Sequence, residues 1–336
     1  MNGRMREPVR LGIVGLGGFG RLHAMTAAGV GEAQVVALVD RREECIAAIG
    51  KSLPGVPVWT DLHAALAKSD AEAWVVATTT ASHVLVARAI LERRLPVLIE
   101  KPLSEDLAEA ESLGPLVRAD SSNLMMGHIL LFNSEFRQVL EEARRRGPIS
   151  YLNCVRHRPT ETKDMFPGES PLHLTMVHDL YATLALVGRR EPESFHARLR
   201  AAEGGGHDVA TAELGWPDGM IATYTASFLT PPGMAGDGFD RLEVFGRGWG
   251  ARITPNPRPI EVWDERAWWP MALEIRADPL APSGMLAEEL RCFCRVVRGL
   301  EPVPVGAAYG DAMQVQRWLD RLGRAARGQG GERHAH

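Results

Sequence analysis

Three glycines close to the N-terminus have a spacing that could do chemistry. Gly15, Gly17 and Gly20 form a G-x-G-x-x-G pattern directly after the apolar residues 11–14. In such a pattern the first glycine permits a tight turn, the second lets the backbone approach a pyrophosphate, and the third lets a helix pack closely on a strand. N–H groups at the start of that helix can bind phosphates. The spacing therefore predicts a dinucleotide-binding turn between a strand and a helix.

An acidic residue completes this pattern. Asp40 ends a second apolar strand 20 residues after Gly20, where a carboxylate is expected to bind the 2′-hydroxyl of the adenosine ribose. This carboxylate would repel the 2′-phosphate of NADP, whereas the adjacent Arg41 could pair with it. We therefore expect NAD as the cofactor, with NADP possible.

Polar residues follow two more apolar segments. Thr78 and Thr79 follow one segment, and Glu100 and Lys101 stand at the end of another. Ligands of a doubly wound parallel sheet bind beyond the carboxyl ends of its strands. The threonines can bind the cofactor or simply form a turn, and the Glu–Lys pair can be functional or a surface ion pair. Pro102 stops the strand and can support a cis peptide bond.

Several motifs together resemble the Gfo/Idh/MocA family of NAD(P)-dependent oxidoreductases. They are GLGGFG with the following R-x-HA, the acid at position 40, V-A-T-x-x-x-x-H ending at His83, EKPLSEDLAEA, and MVHDLYATLALVG. The resemblance extends over the whole chain. It implies hydride transfer between NAD(P) and the secondary alcohol or ketone of a sugar, cyclitol or sugar derivative. It also implies that Lys101 lies near the nicotinamide and takes part in acid–base chemistry, and that the Lys101–Pro102 bond is cis.

A second catalytic motif of that family, D-x-x-x-H-D-x-x-D, is only partly present. The resemblance assigns its histidine to His178 and the next acid to Asp179, but Leu174 and Tyr181 replace the two outer acids. Residues four apart share a helix face, so the usual acid at position 174 would orient the histidine. Either Lys101 and His178 suffice, or the chemistry is altered, or another histidine substitutes for the acid. The candidates for that substitution are His128, His157 and His173.

The expected reaction needs a proton acceptor. Oxidation of an alcohol sends hydride to the nicotinamide, and the protein supplies the position and the proton relay. Lys101 can act as the base only with a lowered pKa. Alternatively His178, with an intrinsic pKa of about 6.5, accepts the proton while Lys101 polarises the oxygen. We expect both side chains to touch the reacting oxygen.

The complete set of predicted site residues has three parts. The catalytic pair is Lys101 and His178. The cofactor-binding residues are Gly15, Leu16, Gly17, Gly18, Phe19, Gly20, Asp40, Arg41, Thr78, Thr79, His83, Glu100 and Lys101. The substrate-binding residues are Lys101, His128, His157, His173, His178 and Asp179. No metal site is expected, because His173 and His178 are five apart, whereas zinc ligands on a helix favour a spacing of four.

The segment pattern predicts two domains. In residues 1–130, short apolar strands alternate with helices, which predicts a Rossmann-type doubly wound parallel sheet. In residues 131–330, longer alternating segments separated by Gly- and Pro-rich turns predict an α+β domain with an open, mainly antiparallel sheet for substrate binding and oligomerisation. The resemblance implies that the last helix, about residues 307–327, returns to the first domain. Asp61 and Ser104 are the expected caps of two helices, and the polar tail from Gly328 is expected to fray.

Composition narrows the function classes. The length of 336 residues suits two domains, and a net charge of −4 gives no case for nucleic acid or an anionic membrane. The N-terminus lacks the apolar stretch of a signal peptide, and no segment is long and apolar enough to span a bilayer. Four cysteines without a C-x-x-C pair suit reduced thiols in a cytoplasm. Because an open sheet needs a cover, a homo-oligomer, dimer or tetramer, is expected.

Two other functions stay open. One is a cofactor-binding regulatory protein without turnover, which Leu174 and Tyr181 favour and which Lys101 and His178 oppose. The other is a reductase of a non-sugar carbonyl compound. In each case the partner is a small molecule.

Overall fold

The computed structural model describes residues 7–166, 168–231, 234, 238–263, 265, 267–271 and 273–328. The chain divides into two compact units. The first holds the part up to Phe132 together with Ile275–Met313, and the second holds Asn133–Glu274 and the part from Gln314 onward. The expected frayed tail from residue 329 lies outside the described residues.

The first unit contains a six-stranded parallel sheet with the strand order β3-β2-β1-β4-β5-β6. Its strands are β1 (Val9–Val14), β2 (Ala33–Val39), β3 (Val58–Trp59), β4 (Ala73–Val76), β5 (Val97–Glu100) and β6 (Leu124–Gly127). The connecting helices are α1 (Gly18–Gly29), α2 (Glu43–Ser52), α3 (Leu62–Lys68), α4 (Thr80–Glu92) and α5 (Leu107–Glu111), with 3-10 turns at Gly114–Leu116 and Ile129–Phe132. Every residue of β4 and β5 is buried, as is typical of parallel strands covered on both faces. The prediction of a doubly wound parallel sheet is confirmed.

The second unit contains a six-stranded mixed sheet with the order β12-β11-β7-β10-β9-β8. Only the central β7–β10 pair is parallel among these neighbours, and the other four pairs are antiparallel. The strands are β7 (Ile149–Pro159), β8 (Ser194–Ala201), β9 (His207–Gly215), β10 (Ile221–Thr230), β11 (Phe239–Gly246) and β12 (Trp249–Asn256), and a small pair is formed by β13 (Val262–Trp263) and β14 (Ala267–Trp268). The helices are α6 (Ser134–Arg146), α7 (Thr162–Met165), α8 (Pro171–Leu174) and α9 (Val177–Val187). The predicted α+β unit with a mainly antiparallel sheet is confirmed.

One face of this mixed sheet is covered by α9. Leu152, Cys154 and Arg156 of β7 are buried, whereas the residues between them are half-buried. The hydroxyl of Tyr224 on β10 donates a hydrogen bond of 2.8 Å to Thr183 of α9. Because side chains alternate along a strand, the odd-numbered residues of β7 and β10 line the opposite, open face.

A buried ion network fastens α9 to the covered face. Arg156 donates to Asp179 of α9 at 2.8 Å and to Asp240 of β11 at 2.7 Å. Arg158 donates to Asp240 at 2.6 Å. A buried charge without its partner is strongly destabilising, so these groups hold one another in place. Asp179 lies in the first turn of α9, so the network fixes that turn, which also contains His178.

The C-terminal part returns to the first unit with β15 (Ile275–Arg276), β16 (Ser283–Gly284), α10 (Met285–Val297) and the start of α11 (Tyr309–Gly328). Helix α10 contacts α1. At the start of α11, the N–H of Tyr309 donates to Ser121 Oγ at 2.9 Å and its hydroxyl donates to the carbonyl of Ala110 at 3.0 Å. Within the described residues, no helix has both the length and the apolar character needed to cross a membrane.

Of the two predicted helix caps, one is confirmed and the other is wrong. Asp61 caps α3 as expected, because its carboxylate accepts from the N–H of Ala64 at 2.7 Å. The cap predicted at Ser104 is wrong, since α5 is capped by Asp106, which accepts from the N–H of Glu109 at 2.9 Å.

Strand β12 contains Gly250 and Pro255, which weaken the strand signal of its sequence. It lies at the edge of the mixed sheet, and an edge strand tolerates proline because one side of its backbone makes no ladder.

Candidate active site

The turn after β1 has strict steric requirements. Gly15 has a φ of +87°, and a β-carbon there would lie 2.5 Å from the carbonyl oxygen of Ala77. A β-carbon on Gly20 would lie only 1.8 Å from the carbonyl oxygen of Gly15. Gly17 caps α1, whose first turn presents N–H groups without intrahelical acceptors. The turn is therefore built to bind an anion.

The remaining residues of the turn contribute differently. The N–H of the buried Leu16 donates to Oδ2 of Asp40 at 2.7 Å, so this N–H is already used inside the unit. Gly18 and Phe19 are exposed at the start of α1. A β-carbon on Gly18 would meet nothing within 4 Å, so no steric reason requires glycine there.

The acid at the end of β2 has a cationic partner. Asp40 is 7% exposed and accepts from the backbone N–H of Arg42 at 2.9 Å and from its guanidinium at 3.2 Å. Burial raises the pKa of Asp40, but hydrogen bonds from Arg42 and Leu16 outweigh it, so the pKa lies below its usual value. Arg41, the cation predicted from the sequence, is exposed. Arg42 is the functional candidate that the sequence pattern did not reveal.

The end of β4 lies beside the glycine turn. A β-carbon on Gly15 would lie 2.7 Å from the backbone nitrogen of Thr78. Ser82 Oγ donates to Thr78 Oγ1 at 2.8 Å, and Thr79 is the N-terminal cap residue of α4. Strands β1 and β4 are the neighbours at which the strand order reverses, and this switch point is where such sheets bind ligands.

His83 joins the ends of β4 and β5. Its Nδ1 lies 2.8 Å from the carbonyl oxygen of Pro102, and its Nε2 lies 3.0 Å from that of Thr78. The ring is 1% exposed, so it bridges backbone groups inside the first unit. The Lys101–Pro102 bond next to it is cis, as predicted.

Glu100 and Lys101 face different surroundings. Glu100 is buried, its Oε1 lies 2.7 Å from Nε2 of His23, and its Oε2 accepts from the N–H of Lys101 at 3.3 Å. Lys101 is half-buried. Burial lowers the pKa of His128 to about 3, a hydrogen bond to the Gly306 carbonyl opposes this, and the nearby charge of Lys101 lowers it further. His128 is therefore neutral near pH 7 and a weak base.

The second unit holds the other catalytic candidate. His178 is half-buried in the first turn of α9, and both carboxylate oxygens of Asp179 bind Arg156. Leu174 ends α8, so it does not share one continuous helix with His178. The expectation that residues 174 and 178 share a helix face is therefore wrong. His173 is exposed, with its Nδ1 3.0 Å from Ser170 Oγ.

His157 lies on the open face of the mixed sheet. Its Nδ1 lies 2.7 Å from Ser227 Oγ, and its ring stacks on Phe239 with centroids 6.5 Å apart. Burial lowers its pKa. Its neighbour Arg156 points to the covered face, so the structure does not bring His157 together with Asp179.

A further group in the first unit has no signal in the sequence. Polar atoms of His23, Glu100 and Glu289 all lie within 4.8 Å of one another, and all three side chains are buried. His23 lies on α1 and Glu289 on α10. Only the fold brings these residues together, because they are far apart in the chain.

Comparison with known families matches both units. Residues 9–128 match the Gfo/Idh/MocA model described as an oxidoreductase family with an NAD-binding Rossmann fold. Residues 125–249 match the Gfo/Idh/MocA C-terminal domain.

Two individual relatives and one solved structure are also similar to this chain. UDP-N-acetylglucosamine 3-dehydrogenase of Acidithiobacillus ferrooxidans is 30% identical over 219 residues, which cover 65% of this chain and 67% of the relative. Inositol 2-dehydrogenase of Mycolicibacterium smegmatis is 30% identical over 67% of this chain and 63% of the relative. The crystal structure of GenD2 from gentamicin A biosynthesis in complex with NAD has a TM-score of 0.80 and 21% identity, and the match covers 97% of this chain and 96% of that one. This last likeness shows a shared fold.

The turn geometry predicts unequal effects at two neighbouring glycines. Gly20→Ala forces a methyl group onto the carbonyl of Gly15, so we expect NADH affinity to fall more than about tenfold, which is about 1.4 kcal/mol. Gly18→Ala meets open space and is the matched control, expected to stay within about threefold of the parent. Fluorescence titration with NADH, after circular dichroism confirms folding, measures both. Equal affinities of the two variants would contradict the steric argument.

Proposed function

The chain belongs to the Gfo/Idh/MocA oxidoreductase family, and from that premise we propose that it transfers hydride between NAD and a secondary alcohol or ketone of a cyclitol, sugar or sugar derivative. The observation that carries this proposal is Lys101 at the carboxyl end of β5, on the sheet edge that also carries the glycine turn. The names of two relatives, one acting on a nucleotide sugar and one on inositol, support the substrate class.

The chain's own residues bind the reacting oxygen and move its proton. Bound NAD supplies the hydride acceptor or donor. Lys101, half-buried beside His128, holds and polarises the reacting oxygen. The neutral His128 adds no second cation there and does not compete for the proton at neutral pH. His178 takes the hydroxyl proton, since an imidazole can act as a general base.

Leu174 stands where the family motif has an acid, so another group has to orient His178. We propose that the Arg156–Asp179 pair takes this role, since it fixes the residue next to His178 with hydrogen bonds of 2.8 and 3.2 Å. Asp179 then anchors the helix and does not contact the substrate.

Substitution at the two proton-handling residues tests the assignment. Lys101→Ala and His178→Ala should each lower kcat by about 10²- to 10⁴-fold, the usual contribution of a general acid or base. NADH affinity of Lys101→Ala should stay within about threefold, because the glycine turn carries the phosphates. His196→Ala, which changes an exposed histidine of β8 outside the predicted site, is the control and should retain kcat. Initial rates of NADH formation with myo-inositol, aldoses and UDP-N-acetylglucosamine provide the measurement.

Two results of that experiment would count against the proposal. Full activity of Lys101→Ala would remove the catalytic role of the lysine. Tight NADH binding with no turnover of any cyclitol or sugar would favour a cofactor-binding regulator.

We propose NAD rather than NADP as the preferred cofactor. Support comes from the buried carboxylate of Asp40, whose pKa is lowered, so that it is ionised at neutral pH. Arg42 moderates this preference, because its guanidinium neutralises the carboxylate and lies close to Gly17, 3.3 Å from where a β-carbon of that residue would be.

Removal of one arginine should sharpen the cofactor preference. Arg42→Ala leaves the charge of Asp40 uncompensated, so we expect the NADPH/NADH affinity ratio to fall about tenfold, or about 1.4 kcal/mol. Arg41→Ala, the adjacent exposed arginine, should leave the ratio within about twofold. Parallel titrations with both reduced cofactors measure the ratio. Tighter binding of NADPH than NADH by the parent protein would refute the NAD assignment.

We further propose a homo-oligomer that covers the open face of the mixed sheet. Ile221, Tyr151 and Phe245 stand side by side on β10, β7 and β11. Ile221 and Phe245 are 42% and 44% exposed, and the rings of Tyr151 and Phe245 stack at 6.0 Å. An apolar row of this kind on an open sheet suits an interface between copies.

A charge placed in this row should dissociate the oligomer. Phe245→Glu puts a carboxylate into the proposed interface and should yield monomers in size-exclusion chromatography with light scattering. Leu85→Glu, at a leucine of α4 that is 70% exposed, is the control and should keep the parent mass. A monomeric parent protein would reject the proposal.

We propose a cytoplasmic location. All four cysteines are free and three are buried, and burial raises the pKa of Cys154 and Cys292. Reduced, unreactive thiols suit a reducing compartment.

A further inference from the structure

Three buried ionisable side chains meet behind the segment that carries Lys101, and the proposed function does not use them. His23, Glu100 and Glu289 come from α1, the end of β5 and α10, and they are 0%, 8% and 0% exposed. Polar atoms of the three lie within 4.8 Å of one another. The phosphate-binding helix, the lysine-bearing strand and a C-terminal helix are therefore joined at one buried point.

The spacing within this cluster favours a shared proton over a metal ion. His23 Nε2 and Glu100 Oε1 are 2.7 Å apart, which is a hydrogen-bond distance. Two ligands of one zinc ion, each about 2.1 Å from the metal, would stand roughly 3.0–3.5 Å apart. A metal-binding histidine also passes its other N–H to a partner, whereas Nδ1 of His23 has none among the described residues.

Glu289 is the unusual member of the cluster. Neither of its carboxyl oxygens has a hydrogen-bond partner within the described residues, although the side chain is fully buried. An ionised carboxylate there would be unsolvated and would face the like charge of Glu100, which is a very unfavourable state. A proton on Glu289 leaves a single negative charge on Glu100, next to the His23 ring. Burial and then the charge of Glu100 raise the pKa of Glu289 well above its ordinary value.

The other elements packed on α10 supply no compensating cation in the part of the chain described. The 3-10 turn at residues 129–132 is apolar, and Arg21 of α1 is exposed. On α10 itself, Arg291 pairs with Glu288 and Arg295 pairs with Glu301, so neither arginine serves Glu289. Arg276 of β15 is exposed and pairs with Asp278 at 3.1 Å. Strands β2 and β16 have no ionisable side chain.

We propose that Glu289 is a positioning residue that holds a proton at neutral pH and thereby keeps Glu100 as a lone carboxylate facing His23 and the N–H of Lys101. The proposal rests on the proposed function only in taking Lys101 as the catalytic lysine. Loss of the proton at alkaline pH places two like charges at one buried point. Glu100 then shifts, and with it the backbone of Lys101 and the contact to α1.

The first test measures thermal stability against pH and requires no substrate. Because the pKa of Glu289 is raised in the folded state, the stability that this proton contributes is fully present below the unfolded value of about 4.5. It falls progressively as pH rises towards the folded pKa, because the unfolded chain releases the proton first. Glu289→Gln keeps the shape without the titration, so the parent Tm should fall relative to this variant between about pH 5 and pH 8. The relative unfolding constant should change by up to about tenfold per pH unit.

A neighbouring acid provides the matched control for this test. Glu288→Gln changes the adjacent, half-exposed acid of α10, which forms an ion pair with Arg291. Its Tm difference from the parent should stay constant over the same range. A Tm difference for Glu289→Gln that is equally constant would overturn the proposal.

The second test follows NADH affinity and kcat across pH. Glu289→Gln should retain both within about threefold at neutral pH and should move their alkaline decline to higher pH. A purely structural side chain would not move the pH profile. An unmoved profile in Glu289→Gln, or a stoichiometric divalent ion in the purified parent that is absent from this variant, would overturn the proposal.

These readouts separate the two proposals. Full activity of Lys101→Ala would defeat the proposed function and leave the Tm result unaffected. A constant Tm difference for Glu289→Gln would defeat the present inference and leave the kinetics of Lys101→Ala unaffected.

Discussion

The carbonyl oxygen of Gly15 occupies space that a β-carbon at residue 20 would need, only 1.8 Å away. Helix α1 can start where it does only because Gly20 has no side chain. This contact directs the helix N-terminus to the turn and places the Leu16 N–H on the acid of β2. It also sets the position of His23, one turn further along α1, against Glu100. One backbone contact thus connects the glycine turn, Asp40 and the end of β5.

Glu100 and Lys101, at the end of β5, have different surroundings. Successive side chains of an extended segment point in opposite directions. Glu100 turns to the buried His23, whereas the charge of Lys101 acts on His128. The pair is therefore not a surface ion pair, which was the simpler interpretation of an acid followed by a lysine. The parallel sheet places this dipeptide on the same edge as the glycine turn.

The features predicted correctly are local. Glycine spacing, apolar periodicity and the acid after β2 indicated the first unit, because each depends on residues close in the chain. The features that the sequence did not reveal depend on which of two neighbouring residues makes a contact, or on contacts between residues far apart in the chain. Arg42 pairs with the carboxylate although Arg41 is adjacent to it, and its backbone N–H donates to the same carboxylate. The short helix ending at Leu174 breaks before α9, which spacing alone cannot show. Glu289 meets Glu100 only through packing of α10.

The two units solve the problem of buried charge in different ways. In the second unit, Arg156 binds two aspartates, and a guanidinium stays charged at any physiological pH. That network is permanent, and it lies where the helix bearing His178 must stay fixed. In the described part of the first unit, Glu100 and Glu289 have no such cation, and the proton proposed for Glu289 removes one of the two charges. A proton can be lost, which makes this point responsive to pH. It lies beneath Lys101, where the proposed chemistry also moves a proton, so the stability of the cluster and the state of the active site depend on the same variable.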